Sequence, residues 1–151
     1  MRHPHRKRNH MNLSNTGLQL IEEFENCRLT AYLDIRGIPT IAWGHTDGVQ
    51  LGDTCTQDQA DTWLTQDTQN AVDHINNLVK VPLTQPEFDA LCSFAYNVGC
   101  GAFAGSTMLK LLNAGDYKNA ALEFAKWDKS GGQVIAGLLR RRQTEVQEFN
   151  S

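Results

Sequence analysis

Two capping boxes constrain most of what this chain can fold into. Thr56 with Gln59 opens one helical pattern, and Thr84 with Glu87 opens another. Between them Ala60, Trp63, Leu64, Ala71, Val72, Ile75 and Leu78 recur at helical spacing to about residue 79. Val81-Pro82 ends that run, because the residue before a proline is pushed out of the helical region. The chain is therefore divided. Residues 12–57 form one lobe, residues 81–151 another, and a long helix over residues 57–79 joins them.

The second lobe reads as wholly helical. The Thr84 box leads through Phe88, Leu91, Phe94 and Ala95 to Gly99, placed where a helix C-terminus favours glycine. Ser106 caps a short helix that ends before Gly115, and another helix falls over residues 117–127. Gly131-Gly132 breaks the pattern. A last helix is expected from about Gln133, carrying Val134, Leu138, Leu139, Val146 and Phe149. In the first lobe Ser14 is a good N-cap, and Leu20, Ile21 and Phe24 give one apolar face, so a helix should end near Asn26 or Cys27. Strand patterns follow over residues 28–33 and 38–43. Asp34-Ile35-Arg36-Gly37 joins them, with Asp first and Gly fourth as a type I turn prefers. Gly44, Gly48 and Gly52 punctuate a third short strand and a loop. The fold class is α+β.

At 151 residues, with 40% apolar and 21% charged side chains, this is one soluble globular domain. Its most apolar run, residues 134–139, is far too short to span a membrane, and no signal-peptide core appears. The net charge of -3 is uneven. Residues 1–10 hold four cations (Arg2, Arg6, Lys7, Arg8) and three histidines, whereas residues 11–79 hold ten acids against two cations. A basic arm can bind nucleic acid or an anionic envelope. Its composition and the second methionine, Met11, favour an added leader or disordered tail over residues 1–11. Cys27, Cys55, Cys92 and Cys100 form no CxxC pair, which argues against a zinc or thioredoxin-type site, and Cys92 reads as a buried thiol.

The stretch from Glu25 to His45 carries the chemistry. Glu25 sits in the last helical turn, where the dipole disfavours a carboxylate and partial burial would raise its pKa. Asp34, in a polar turn, should stay ionised. A protonated acid beside an ionised partner is what glycoside hydrolysis needs. Spacing alone leaves the plainer alternative open, a turn-initiating Asp and a surface Glu, with Glu22 and Glu23 solvated. His45, alone after a strand, reads as structural. Trp43, Trp63 and Trp127 read as core.

Glu25, Asp34 and Thr40 stand as Glu-x8-Asp-x5-Thr, which resembles the catalytic signature of phage-type lysozymes, the endolysins of glycoside hydrolase family 24. The surrounding residues agree: Phe24-Glu25, Arg28-Leu29-x-Ala31-Tyr32-x-Asp34 and Thr40-Ile41-x-x-Gly44-His45-Thr46. So do Ala95-Tyr96-Asn97-Val98-Gly99, Gly101-Ala102-Phe103-Ala104-Gly105-Ser106-Thr107, and the closing Trp127, Gly131-Gly132, Gly137-Leu138-x-Arg140-Arg141-Arg142 and Glu145. The match covers about residues 12–150. It implies a lysozyme-like fold with a small β-hairpin or three-stranded lobe, a connecting helix and a helical lobe.

The resemblance also implies an inverting muramidase that cleaves the β-1,4 bond between N-acetylmuramic acid and N-acetylglucosamine. Glu25 would be the acid, while Asp34 and Thr40 would position and activate water. Tyr32, Asn97, Gly131 and Gly132 would contact substrate. His45 would pair with an acid of the long helix, Asp67 by register, and one of Arg140 to Arg142, with Arg141 the candidate, would face Glu25 while the other two are solvated. No cofactor and no metal are implied. The expected partner is the peptidoglycan glycan strand, with no nucleic acid and no stable membrane insertion, for a monomer that depends on a holin. It would accumulate in host cytoplasm and act on the wall in the periplasm. A lytic transglycosylase, which needs only the acid, and a catalytically silent peptidoglycan-binding protein are the alternatives.

Overall fold

The computed structural model describes residues 9–151, so the basic residues of the N-terminal arm and the reading placed on them lie outside the described residues. Helix α1 (Asn15–Glu25) begins at Ser14, whose hydroxyl accepts from Gly17 N–H at 3.1 Å. Such a cap stabilises a helix by about 1 kcal/mol. Ser14 also bonds through its amide and its hydroxyl to the buried carboxylate of Asp89, which fixes where α1 enters the fold. Asn26 (φ 51°, ψ 130°) leaves the helical region and ends α1, its amide still donating to the Glu22 carbonyl at 3.2 Å. The chain passes directly into β1 (Arg28–Leu33), which pairs antiparallel with β2 (Pro39–Ala42).

Strand β2 is shorter than the sequence pattern because Ala42 sits at φ 58° and breaks the extended backbone. The third strand expected after Gly44 is reduced to isolated bridges, Ile41 to His45 at the turn and Thr30 to Thr54, which joins the loop to β1. The latter is held by Ala31 N–H to the Asp53 carbonyl and Cys55 N–H to the Leu29 carbonyl, both 2.9 Å. Gly48 and Gly52 both take positive φ, so the segment turns too often to extend the sheet.

Helix α2 (Gln57–Leu78) starts at the Thr56–Gln59 box, with both reciprocal bonds formed. Asn76 on α2 accepts from the Met11 amide at 3.0 Å and donates to the Met11 carbonyl at 2.9 Å, tying residues ahead of α1 to this helix. Helix α3 (Gln85–Val98) starts at the Thr84–Glu87 box and ends at Gly99, φ 98°. Residues 88–95 of α3 are all buried, and a helix apolar around most of its girdle belongs at the centre. Helices α1, α2 and α7 (Ala136–Phe149) pack around it. The large core therefore lies in the helical lobe, built on Phe88, Leu91, Phe94, Phe103, Met108, Leu112, Phe124 and Phe149. Cys92 is within it, as expected. A much smaller core of Ile41, Ala42 and Ala60 sits under the hairpin.

The helical lobe departs from the expected reading in three places. Gly99 is followed at once by α4 (Cys100–Ala104), a short helix that no periodic pattern announces, before α5 (Thr107–Asn113). The segment over residues 117–127 is α6 (Tyr117–Glu123) and then a 3-10 turn, Phe124–Trp127. The last helix begins at Ala136, not near Gln133. Gln133–Val134 is instead β4, paired with β3 (Lys129–Ser130) across Gly131 and Gly132. Both glycines have positive φ (59° and 82°), the requirement of a two-residue type I′ hairpin turn, so the lobe is not wholly helical. No helix among the described residues is long and apolar enough to cross a membrane.

Candidate active site

A cleft of about 800 Å³ opens between the β1–β2 hairpin and the helical lobe. Glu25, Tyr32, Asp34, Thr40 and Asn97 line it together, with Arg28, Arg36, Gly44, Tyr96, Trp127, Lys129, Ser130 and Arg142 among their neighbours.

Glu25 is the last residue of α1, and its side chain is largely covered. One oxygen, Oε1, accepts from the Arg141 guanidinium at 2.6 Å. The other lies against Gly44, where a Cβ would come within 2.2 Å of Oε2. Gly44 also holds φ at +83°, so two independent reasons exclude a side chain there. Ile41 and His45 exchange backbone bonds across this tight turn (2.9 and 2.8 Å), and the Tyr96 hydroxyl donates to the Trp43 carbonyl at 2.6 Å. Tyr96 thus links α3 to the loop that holds Gly44. Burial, with the nearby charges of Glu25 and Asp67, pushes its phenol well above the ordinary tyrosine range.

Asp34 opens the hairpin turn. Its Oδ1 accepts from the amides of Arg36 (2.8 Å) and Ile38 (2.9 Å), and its Oδ2 faces the Arg36 guanidinium at 3.2 Å. Burial raises its pKa, but the Ile38 and Arg36 amides and the Arg36 side chain outweigh that and hold the carboxyl below its ordinary value. Ionisation of Asp34 is therefore favoured, as the turn position suggested. Thr40, buried opposite Tyr32 in the ladder, donates its hydroxyl to the Ile38 carbonyl at 2.8 Å. Its oxygen lone pairs remain free to accept. Burial and the Glu25 charge raise the Tyr32 phenol, partly offset by Arg28.

Behind Glu25 is a buried polar cluster whose organisation the sequence concealed. Glu145 is fully buried and accepts from Ser93 Oγ (2.6 Å), Arg141 Nε (3.2 Å) and Arg142. Arg141 also donates to the Ser93 carbonyl at 3.0 Å. Two of the three consecutive arginines were expected to be solvated. Only Arg140 is exposed, because Glu145 one turn on supplies both others with a buried partner. Burial pulls Arg142 below the usual arginine range, while the charge and hydrogen bond of Glu145 hold it up. Arg142 donates from Nε to the Trp127 carbonyl at 2.9 Å and from its second terminal nitrogen to Asn97 Oδ1. With its oxygen engaged, Asn97 is left with its NH2 group as the donor at the cleft.

His45 faces away from this chemistry. Its Nδ1 lies 2.7 Å from Asp67 Oδ2, and its ring stacks flat on Trp63 (4.6 Å, 3° between planes). Both His45 and Asp67 line a smaller neighbouring cavity of about 170 Å³. Gly131 and Gly132 occupy the turn beyond Ser130 and are not among the residues lining the main cleft. Of the tryptophans, Trp127 packs edge-on against Phe94 and also lines the cleft, while Trp43 donates to Asp61 at 3.1 Å. Lys129 and Ser130 are cleft residues that no sequence pattern singles out, because they stand on β3 of a hairpin that was not expected, whereas Trp127 reaches the cleft from the end of the preceding 3-10 turn. The Gly-Gly pair was the available signal.

The phage lysozyme family profile matches residues 22–145. The endolysin of Acyrthosiphon pisum secondary endosymbiont phage 1 is 43% identical over 93% of this chain and 99% of its own length. The endolysin of Bacillus phage B103 is 45% identical over 92% of the chain, which spans only 54% of that longer protein. Among solved structures, the muramidase domain of SpmX from Asticaccaulis excentricus superposes with a TM-score of 0.82 at 38% identity, covering 93% of this chain and 98% of that one. A P22 lysozyme variant gives 0.76 at 44% identity, covering 93% and 99%.

Proposed function

This chain belongs to the phage lysozyme family, whose members include peptidoglycan-degrading glycoside hydrolases, and we propose that it works as an inverting muramidase with Glu25 as its acid. The reading rests on one observation: Glu25, Asp34 and Thr40 line a single cleft, with Arg141 fixed against Glu25 from behind. In this reading protonated Glu25 delivers its proton to the glycosidic oxygen between N-acetylmuramic acid and N-acetylglucosamine. The carboxylate left behind meets a guanidinium already in place, which lowers the cost of the charge that forms. Asp34, held ionised by its turn amides, faces the oxocarbenium-like charge and draws a proton from the attacking water. Thr40 adds an acceptor for that water, since its own proton is committed to Ile38.

Asn97 and Tyr32 contact the sugars in this scheme, while His45 and Asp67 support the loop behind Gly44. Inversion requires room for water between the two carboxyl groups, about 6.5–9.5 Å. The deciding experiment is product analysis of digested cell walls, with Glu25→Gln as control. Hydrolysis leaves reducing N-acetylmuramic acid ends, and the fresh product is the α-anomer by NMR. Products with 1,6-anhydro ends would establish a lytic transglycosylase instead, and undiminished lysis by Glu25→Gln would remove Glu25 from the acid role.

As a lytic enzyme of phage type, the chain is further inferred to act as a monomer, to accumulate in host cytoplasm and to reach the wall through a holin-made lesion. Expression with and without a holin tests the last point, because prompt lysis in its absence would contradict it.

A further inference from the structure

Residues 11–79 hold ten carboxylates and only two cations, Arg28 and Arg36, and both cations line the cleft. Arg36 is engaged with Asp34 at 3.2 Å. On the facing wall, Lys129 lies 3.3 Å from Asp128 and Arg142 is paired with Glu145. Among the described residues, Arg28 is the one cleft-lining cation that meets no carboxylate. Its guanidinium lies over the Tyr32 ring instead, 4.1 Å from the centroid. Stacking holds the group in place without neutralising it, so its planar fork of donors is left for a ligand with little entropy to lose.

The N-acetylated sugars of a glycan strand carry no charge for this fork where the lactyl group of the muramic acid is amide-linked to its stem. The peptide stem borne by each muramic acid does, because it ends in free carboxylates of the shape a guanidinium binds through two parallel hydrogen bonds. Arg28 stands three residues after Glu25, so a stem held there hangs from a sugar near the bond that Glu25 attacks. An acidic body repels an anionic wall, which makes a local handle on such carboxylates useful. Building on the muramidase reading, we propose that Arg28 is the residue by which the cleft recognises the peptide stem, and that the preferred substrate carries free stem carboxylates.

The test compares the full chain on soluble glycan strands with intact stems and on the same strands after carbodiimide coupling to ammonia, which turns those carboxylates into neutral amides. At low ionic strength kcat/KM should favour the untreated strands by about fivefold, through KM, the scale of a partly exposed ion pair. The ratio should fall to about one in Arg28→Gln and below one in Arg28→Glu. Being a ratio, it is unaffected by the fraction of a variant that folds. A wild-type ratio of one, or the same ratio in Arg28→Gln as in the parent, overturns the inference. Failure of the parent to release reducing ends from either strand type would overturn the muramidase reading and this inference with it.

Discussion

Gly44 and the Glu25 carboxylate occupy space that only one of them can fill: a Cβ on Gly44 would stand 2.2 Å from Glu25 Oε2. Gly44→Ala must therefore displace the carboxylate or the loop, at a φ of +83° that alanine resists. Strain of this kind costs about 1–3 kcal/mol. A misplaced catalytic group costs about 100-fold in rate. Muropeptide release should fall by that order while thermal unfolding shifts by only a few degrees. Full activity in Gly44→Ala would show that the close approach is not needed.

Glu145 anchors two buried arginines, so Glu145→Gln leaves two cations in the interior with one anion removed. Breaking a buried pair in this way costs about 3–5 kcal/mol. The urea midpoint should drop accordingly at unchanged slope. Activity should fall as well, since Arg141 and Arg142 then lose the partner that aims them at Glu25 and Asn97.

The depressed pKa of Asp34 makes its contribution to stability depend on pH. A carboxylate held below its unfolded value stabilises the fold above that value, near 3.8, and the contribution is lost as pH falls through the folded pKa. Wild type should therefore exceed Asp34→Asn in unfolding free energy at neutral pH, with the gap closing below about pH 4. A gap that widened on acidification would reverse the sign assigned here.

His45 and Asp67 separate support from chemistry. Asp67→Ala removes the 2.7 Å partner of His45 and should cost about 1–3 kcal/mol, the usual result of orphaning a buried polar group. Its kcat should stay within about tenfold of the parent, where Glu25→Gln loses far more. Loss of activity equal to that of Glu25→Gln would move His45 into the reaction.

Local rules made much of this fold legible. Ser14, Thr56, Thr84 and Ser106 cap the helices they were expected to cap, and the strand over residues 28–33 and its turn follow from alternation and from Asp34 and Gly37. Recognition of the family also rested on residues visible in the chain, and the profile match bears it out. What escaped was non-local. Nothing in Arg140-Arg141-Arg142 says which guanidinium turns inward, because that depends on Glu145, Ser93, Asn97 and Trp127, brought together only by α3 packing on α7. The β3–β4 hairpin was missed for another reason: two-residue strands carry no period to read, and the apolar run beside them suggested a longer helix.

Helix α1 comes before the hairpin in sequence, yet it packs on α3, and its final residue is gripped by Arg141 from α7. Glu25 therefore travels with the large core, whereas Asp34 and Thr40 ride on a hairpin supported by only three buried apolar residues. On warming, the lesser lobe can melt locally while the greater one stays intact. Heat inactivation should then run ahead of the loss of helical circular dichroism, and an enzyme heated into that interval and cooled should recover its lytic activity without having unfolded as a whole.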